Sequence, residues 1–361
     1  MMKKFYAFFM LALLTVVLAA CQPKEEAVEE VKDASAESTT VNEEHALAGK
    51  KVALIMQSNL GTFSAQYIAG VEQQVKAFGG EVTVFTAEGD LAKMASNVDA
   101  AINQKFDAIL IDHGTGEALN DGVTRAKEAG IAVVVFDASV EVDGVPVIEQ
   151  GDQAMAKMTL DKLAADFNGE ANVVRIWVAG FAPMERRKEA YDAFIAENPG
   201  INEIATFGNV TANTALDTQT QMEAILKQYP NEGDIDAIWA PFNEFAKGAV
   251  RALEQAGRTN IKVYGIDMSD EDLQIMQTEN SPWVASAAVD PTDIGRVQVR
   301  YAYQLLNGDA VDSVISLNPV FVDQASLPEQ NITTTELSQY VDGWGASEQG
   351  YNDTLKELEG K

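Results

Sequence analysis

The feature that most constrains the fold is a regular alternation of short apolar runs with longer stretches of amphipathic helical spacing. Residues 52–56 form the first apolar run, and residues 64–78 then place apolar side chains on one helical stripe. The same alternation continues to about residue 306. Short apolar runs are typical of strands buried on both faces, and helices between them connect parallel strands. The sequence therefore predicts an α/β fold built on doubly wound parallel sheets.

The alternation is long enough for two domains. The chain has 361 residues, and a single compact core rarely exceeds about 250–300 residues. A second series of strands and helices begins near Gly151-Asp152, although the two series share no visible sequence repeat. We therefore expect two Rossmann-like domains, with a ligand held in the cleft between the carboxyl ends of their strands.

The amino terminus indicates where the protein is located. Lys3 and Lys4 precede a mostly apolar run (5–20) that is shorter than the roughly 20 residues of a comfortable membrane span. The run ends in Leu18-Ala19-Ala20-Cys21, which resembles the bacterial lipobox, and Cys21 is the single cysteine of the chain. This pattern predicts a cleaved signal peptide and a lipidated Cys21 that anchors the protein outside the cytoplasm, at the periplasm or cell surface. The alternative is a secreted protein whose lone thiol lies near the cleavage site by chance.

The segment after Cys21 has the composition of a tether. Residues 22–48 hold eight acidic side chains, two lysines and no aromatic residue. So little apolar surface cannot offset the entropy lost on ordering, and like charges extend the chain. We interpret this segment as an acidic flexible linker between the anchor and the folded body.

The overall composition excludes several classes of function. The chain carries 26 basic and 55 acidic side chains, a formal net charge of −29, which repels nucleic acid. One cysteine and two histidines leave little material for a metal site or a nucleophile–base pair. Gly114-Thr115-Gly116 follows a predicted strand, but Leu119 stands where a dinucleotide-binding loop requires its third glycine. We expect no cofactor, no metal and no catalytic residue.

Polar side chains follow the ends of the predicted strands, where ligands bind in open α/β sheets. Carboxylates, amides and a guanidinium beside aromatic rings suit a neutral polyhydroxylated ligand, because they bind hydroxyl groups while the rings cover C–H faces. The candidate residues selected on this basis are Gln57, Phe63, Asp112, His113, Asp137, Arg187, Phe242, Asn243, Asp267 and Asp290. Each has an alternative structural role, such as capping a helix or packing in the core.

From residue 50 to residue 322, the chain resembles the bacterial ABC-transporter solute-binding proteins of the ribose-binding, periplasmic-binding-protein-like type. The resemblance lies in the order and spacing of several motifs, among them Phe242-Asn243-Glu244, Tyr264-Gly265-Ile266-Asp267 and Asp293-Ile294-Gly295. The run that leads into Asp137 and the segment 185–191, which contains Arg187, belong to the same pattern.

The resemblance implies roles for individual residues. Phe63 corresponds to an aromatic wall, Asp137 and Asp267 to hydroxyl-binding carboxylates, and Arg187 to an arginine that faces the ligand. Asn213 replaces another aromatic ligand-binding residue, and Ala138 stands where the ribose binders carry an arginine. These departures point away from ribose itself, toward a differently shaped sugar or polyol.

The resemblance also implies a domain division and three hinge segments, near 150–152, 289–291 and 318–321. The predicted parts are a signal peptide (1–20), a tether (21–49), an N-terminal domain (50–150 plus 291–318) and a C-terminal domain (151–290 plus 319–361). Tyr340, Trp344 and Tyr351, beyond the usual end of the family, are expected to pack on the second domain.

The preferred function is a lipid-anchored, monomeric receptor that closes on a monosaccharide or polyol and delivers it to an ABC permease in the inner membrane. One alternative is a sensor of a furanosyl signal or nucleoside, which would use the same pocket. A second alternative is a glycosidase with Asp137 and Asp267 as its carboxylate pair. It is disfavoured because the chain shows no nucleophile–base arrangement.

Overall fold

The computed structural model describes residues 45–345 and 347–361. The predicted signal peptide, Cys21 and most of the predicted tether lie outside the described residues. The last part of the predicted tether belongs to the folded body: residues 45–49 form turns, and Leu47 is buried against the first sheet. The body therefore begins a few residues earlier than predicted, because one leucine at this point is enough to attach the chain to the core.

The strands and helices follow the predicted alternation. The first half of the described chain contains β1 (Lys51–Met56), α1 (Gly61–Ala77), β2 (Glu81–Thr86), α2 (Leu91–Asn103), β3 (Ala108–Asp112), α3 (Gly116–Glu128), β4 (Ala132–Phe136), β5 (Val147–Glu149), α4 (Asp152–Asp166), β6 (Ala171–Ile176) and α5 (Ala182–Glu197). The second half contains β7 (Ile201–Phe207), α6 (Thr214–Gln228), β8 (Ala237–Ala240), α7 (Asn243–Ala256), β9 (Lys262–Ile266), α8 (Asp270–Met276), β10 (Trp283–Ala288), α9 (Pro291–Asn307), β11 (Val314–Ser316), β12 (Val320–Asp323) and α10 (Asp353–Glu359).

The strands form two separate sheets, each the centre of one lobe. The first lobe contains a parallel sheet in the order β11-β5-β4-β3-β1-β2. The second contains the order β12-β10-β9-β8-β6-β7, parallel except for the edge strand β12, which runs antiparallel to β10. The predicted pair of doubly wound α/β domains is confirmed.

Burial of both sheet faces explains why the strands read as continuous apolar runs. In β1, Val52, Leu54 and Met56 pack in one hydrophobic cluster, with α1 and α9. Ala53 and Ile55 point to the opposite face and pack with α2 and α3. Since successive strand residues alternate between faces, a strand covered by helices on both sides must be apolar at every position.

Within residues 45–321, the chain passes between the two sheets three times. The crossings lie between β5 and α4, between β10 and α9, and between β11 and β12, at the predicted hinge segments. Gly151, at the first crossing, has a φ of 76°, and a Cβ there would lie 2.8 Å from the carbonyl oxygen of Leu317 in the third crossing. The crossings are thus packed against one another, and glycine is required where they meet.

The carboxyl-terminal segment corrects the predicted domain division. Trp344 packs in the core of the second lobe, as expected. Tyr351 and the helix α10, through Leu355 and Leu358, instead pack on the first lobe. The assignment of residues 347–361 to the second domain is therefore wrong, because two leucines on one face of α10 find their apolar partners on α9 and α1. Tyr340 remains exposed.

Candidate ligand-binding site

A cavity of about 110 Å³ lies between the lobes, at the carboxyl ends of the strands. The first lobe contributes Gln57, Ser58, Leu60, Phe63, Ser64, Tyr67, Asp112, His113 and, at the crossing, Gln150. The second contributes Val178, Phe181, Pro183, Met184, Arg187, Val210, Phe242, Asn243 and Asp267.

The cavity brings together most of the residues selected from the sequence. The predicted residues that line it are Gln57, Phe63, Asp112, His113, Arg187, Phe242, Asn243 and Asp267. They come from distant parts of the chain and meet because each follows a strand or begins a helix at the same edge of its sheet. Their proposed contacts with a ligand remain predictions.

Three predicted site residues do not line the cavity. Asn213 is exposed and caps α6, where its side chain accepts a hydrogen bond from the Leu216 amide. Asp290 caps α9 at the second crossing and accepts a hydrogen bond from the Thr292 amide. Asp137 lies behind the cavity wall, bound to other side chains. For Asn213 and Asp290, the capping role decides the position, since an N-cap carboxylate or amide turns toward its own helix.

Several residues that line the cavity are not among those selected from the sequence. Tyr67 lies one helical turn after Phe63 on α1, so the helical spacing of the two rings could have identified it. Gln150 lies at a crossing, where only the tertiary structure shows that its side chain faces the cleft. Phe181, Met184 and Val210 lie in loops or at a helix start. Only the tertiary structure shows that these three apolar side chains line the same cavity.

Arg187 organises several polar groups at the cavity wall. Its Nε donates to Asp152 at 2.8 Å and its Nη1 to the carbonyl oxygen of Pro241 at 2.7 Å. The guanidinium also donates to both oxygens of Asp267 at 3.3–3.4 Å. Burial opposes the charge, but Asp267 and Asp152 outweigh it and raise the pKa of Arg187. Arg187 therefore stays charged and holds the Asp267 carboxylate at the cavity wall.

A second charged pair lies on the first lobe. The Nδ1 of His113 lies 2.7 Å from Oδ1 of Asp112, and the imidazole edge faces the ring of Phe181 across the cleft, with ring centroids 6.5 Å apart. Burial lowers the pKa of His113, but the Asp112 carboxylate outweighs this effect and raises the pKa to about 9. At neutral pH His113 is therefore an imidazolium whose Nδ1 is committed to Asp112.

Two amide side chains present oxygen acceptors. The Nδ2 of Asn243 donates to Asp272 at 2.8 Å, and the Nε2 of Gln150 donates to Asp137 at 2.9 Å. These carboxylates fix the orientation of both amides, because a carboxylate accepts only from the NH2 group. The Oδ1 of Asn243 and the Oε1 of Gln150 are buried and have no hydrogen-bond partner among the described residues. A buried acceptor without a partner is costly, and both oxygens belong to side chains that line the cavity.

Much of the cavity wall is apolar. The second lobe contributes Val178, Phe181, Met184, Val210 and Phe242, which pack in one hydrophobic cluster, and the first lobe contributes Leu60 and Phe63. Such a surface gains free energy by covering an apolar group and offers no hydrogen bond to a hydroxyl.

The cavity is suited to holding a small molecule. Over residues 45–345 and 347–361, no group of three or more His, Cys, Asp or Glu side chains is placed to hold a metal ion. In the same part of the chain, no helix is long and apolar enough to span a membrane. The cavity combines hydrogen-bond acceptors with apolar walls, and it is enclosed by two lobes that three chain crossings connect.

Two doubly wound lobes around such a cleft define a solute-binding protein. The chain belongs to the periplasmic binding protein family: the model of the periplasmic binding protein domain matches residues 52–310. This family consists of transport receptors and not enzymes, acts outside the cytoplasm, and includes sugar- and polyol-binding members.

Solved structures show the same fold at substantial sequence identity. A 5-methylthioribose transporter solute-binding protein from Thermotoga lettingae, in complex with 5-methylthioribose, is 38% identical, with a TM-score of 0.82. That match covers 86% of this chain and 98% of the other. A sugar ABC transporter protein from Yersinia enterocolitica is 36% identical, with a TM-score of 0.83, covering 86% and 95%.

A more distant curated relative is the xylitol-binding protein of Mycolicibacterium smegmatis. It is 25% identical over 291 residues, which is 79% of this chain and 81% of that protein. The expected membership of the ribose-binding type is confirmed, and so is the binding of a sugar or polyol as the general function.

Proposed function

We propose that this protein is the receptor of an ABC importer for a furanose that carries an apolar substituent at C5, with 5-methylthioribose as the representative ligand. The observation that carries the proposal is that the cavity combines hydrogen-bonding side chains with an apolar cluster from the second lobe. Ring hydroxyls would bind to the hydrogen-bonding side chains, and the substituent would pack on the apolar cluster.

The polar side chains that line the cavity suit a ligand with vicinal hydroxyl groups. Asp267 and Asp112 supply carboxylate acceptors, and Asn243 and Gln150 supply amide oxygens that have no partner in the described part of the chain. A ligand that donates several hydrogen bonds satisfies these groups, whereas an analogue lacking a hydroxyl leaves one of them unpaired.

The apolar cluster disfavours ribose itself. The hydroxymethyl group of ribofuranose would lie against Phe181, Met184 and Val210, where none of these side chains offers a hydrogen bond. A methylthio group in the same position buries apolar surface and makes favourable sulfur–aromatic contacts. The 38%-identical Thermotoga protein, solved with 5-methylthioribose, supports the same ligand class.

Isothermal titration calorimetry with 5-methylthioribose, ribose and xylitol tests the proposal. We expect 5-methylthioribose to bind at least about tenfold more tightly than ribose, since burying a methylthio group contributes about 1–2 kcal/mol. Met184→Gln, in the apolar cluster, should reduce the preference for 5-methylthioribose over ribose. Leu216→Gln, on an exposed residue outside the cavity, is the control. Tighter binding of ribose than of 5-methylthioribose would contradict the ligand assignment.

We also propose that the mature protein is a lipoprotein anchored through Cys21 and that it delivers its ligand to a membrane permease. The lipobox-like ending of the apolar amino-terminal run supports the anchor. Cys21→Ser should abolish incorporation of labelled palmitate and move the protein from the membrane fraction to the soluble fraction. Retention of the variant in the membrane fraction would rule out this anchor, while Ser35→Ala in the segment that follows Cys21 serves as the control.

A further inference from the structure

An ion pair crosses between the lobes outside the ligand cavity. Arg186, on α5 of the second lobe, donates from Nη2 to Oδ1 of Asp137 at the end of β4 in the first lobe, at 2.6 Å. The same guanidinium contacts Glu149 at 3.2 Å, also in the first lobe. Its Nε donates to Asp152 at 2.6 Å, in its own lobe. Arg186 therefore joins carboxylates from both sides of the hinge.

The environment of Asp137 makes this pair depend on the position of the lobes. Asp137 is 1% exposed and does not line the cavity. Its other oxygen accepts from Gln150. When the lobes separate, Arg186 keeps its hydrogen bond to Asp152, which lies in the same lobe. Asp137 lies in the other lobe and loses the guanidinium that binds it. The next residue in the first lobe cannot replace that guanidinium because it is Ala138.

Gln150 connects this ion pair to the cavity. Its Nε2 binds Asp137, while its Oε1 is buried, without a partner among the described residues, and part of a side chain that lines the cavity. A ligand hydroxyl that donates to Oε1 would hold the Gln150 amide in the orientation that donates to Asp137. The ligand, Gln150, Asp137 and Arg186 then form a continuous series of hydrogen bonds across the hinge.

We propose that Arg186 and Asp137 form an interlobe latch, a pair that does not touch the ligand but stabilises the closed arrangement and slows ligand release. Arg186 is thus a positioning residue that sets affinity through the closing equilibrium and leaves the choice of ligand to the cavity. The inference rests on the proposed solute-binding function but not on the identity of the ligand.

The test compares Arg186→Gln, Asp137→Asn and the double variant with the wild-type chain, by stopped-flow kinetics with 5-methylthioribose and ribose. Because the latch exists only in the closed state, each single variant should raise the dissociation rate about tenfold and change the association rate less than about twofold. The affinity ratio between the two sugars should stay unchanged. The double variant should release the ligand no faster than the single variants, since the two residues act as one pair.

Lys188→Gln is the matched control, because Lys188 lies on the same helix and pairs with Asp192 within that helix. Asp137→Asn keeps the shape of the side chain and remains informative where Arg186→Gln lowers stability. Circular dichroism verifies that each variant is folded. An unchanged dissociation rate in folded Asp137→Asn, or additive effects in the double variant, would overturn the latch.

A ligand-free measurement separates the latch from the proposed function. Small-angle X-ray scattering of the unliganded wild-type protein and of Asp137→Asn compares their radii of gyration. A larger radius in the variant supports the latch even where neither sugar binds, and equal radii with no sugar bound would overturn it. Binding of 5-methylthioribose with unchanged kinetics in the variants would refute the latch and leave the proposed function intact.

Discussion

At the residue scale, Arg187 connects polar groups beside the cleft through hydrogen bonds to Asp152, Asp267 and the Pro241 carbonyl. Its Nε and both terminal nitrogens already donate within the protein. The residue therefore positions acceptors at the cavity wall, and its own charge is balanced by two buried carboxylates. The sequence selects Arg187 as a ligand-binding residue, which remains a prediction, and only the structure shows this supporting network.

Replacing Arg187 should consequently affect stability. We expect Arg187→Ala to lower the free energy of unfolding by about 3–5 kcal/mol, because Asp152 and Asp267 stay buried without their cation. Urea unfolding followed by circular dichroism measures the change. Lys188→Ala, at a more exposed position on the same helix, should lower it by less than about 0.5 kcal/mol. Equal stability of the two variants would show that Arg187 does not support these carboxylates.

Because the pKa of His113 is raised in the folded protein, we expect the free energy of unfolding to depend on pH. The pKa of His113 is about 9 in the folded protein, against 6.5 for an unperturbed histidine, so folding favours the protonated ring. This contribution is complete below pH 6.5, decreases as the pH rises, and is lost above pH 9. It amounts to about 1–3 kcal/mol.

The difference in unfolding free energy between wild type and His113→Asn isolates this contribution. We expect the difference to be largest near about pH 6 and to shrink toward about pH 9.5. His45→Asn, which changes the other histidine of the chain, controls for a general effect of removing a histidine. A difference that grows with pH would contradict the assigned direction of the pKa shift.

At the element scale, the carboxyl-terminal segment connects the lobes in addition to the three crossings. Trp344 is anchored in the second lobe, where its indole nitrogen donates to the Thr334 carbonyl at 2.7 Å. Beyond it, Arg300 of α9 donates to the carbonyl oxygens of Ser347 and Gln349 and lies over the ring of Tyr351. The helix α10 then packs on the first lobe through its two buried leucines.

Shortening a buried side chain of α10 tests how firmly the carboxyl-terminal segment is attached to the first lobe. We expect Leu355→Ala to lower the free energy of unfolding by about 2–4 kcal/mol, because it removes a fully buried leucine side chain and leaves a cavity beside α9. Leu216→Ala, on an exposed leucine, should change it by less than about 0.5 kcal/mol. Thermal unfolding of both variants measures the effect. Similar melting temperatures would show that α10 is only loosely attached.

At the scale of the whole molecule, the lobes meet along the cleft through polar contacts of different kinds. Arg186 and Asp137 form the charged contact near the hinge. Elsewhere, Gln66 of α1 accepts a hydrogen bond from the Asp270 amide at 3.0 Å and donates to Thr334 at 2.7 Å. A single neutral polar contact contributes only about 1 kcal/mol, so several such contacts together hold the lobes in this arrangement.

Local patterns in the sequence are sufficient for the two-lobed α/β architecture. Strands buried on both faces must be apolar throughout, and the helices between them must carry an apolar stripe, so β1 and α1 could be identified before any tertiary contact was known. The strand ends then placed Asp112, Asp267 and Asn243 at the cleft, because ligands in such sheets bind at the carboxyl ends of strands.

The packing of the two lobes determines which side chains meet, and a local sequence pattern does not contain this information. Asp137 follows β4 as Asp267 follows β9, yet it pairs with Arg186 of the other lobe and lies behind the cavity wall. Gln150 of the first lobe and Met184 of the second line the same cavity because the lobes come together, and α10 joins the first lobe through two leucines. A strand end specifies the edge of the sheet that a side chain occupies. The partner it meets there depends on side chains from distant parts of the chain, and their positions follow only from the way the two lobes pack.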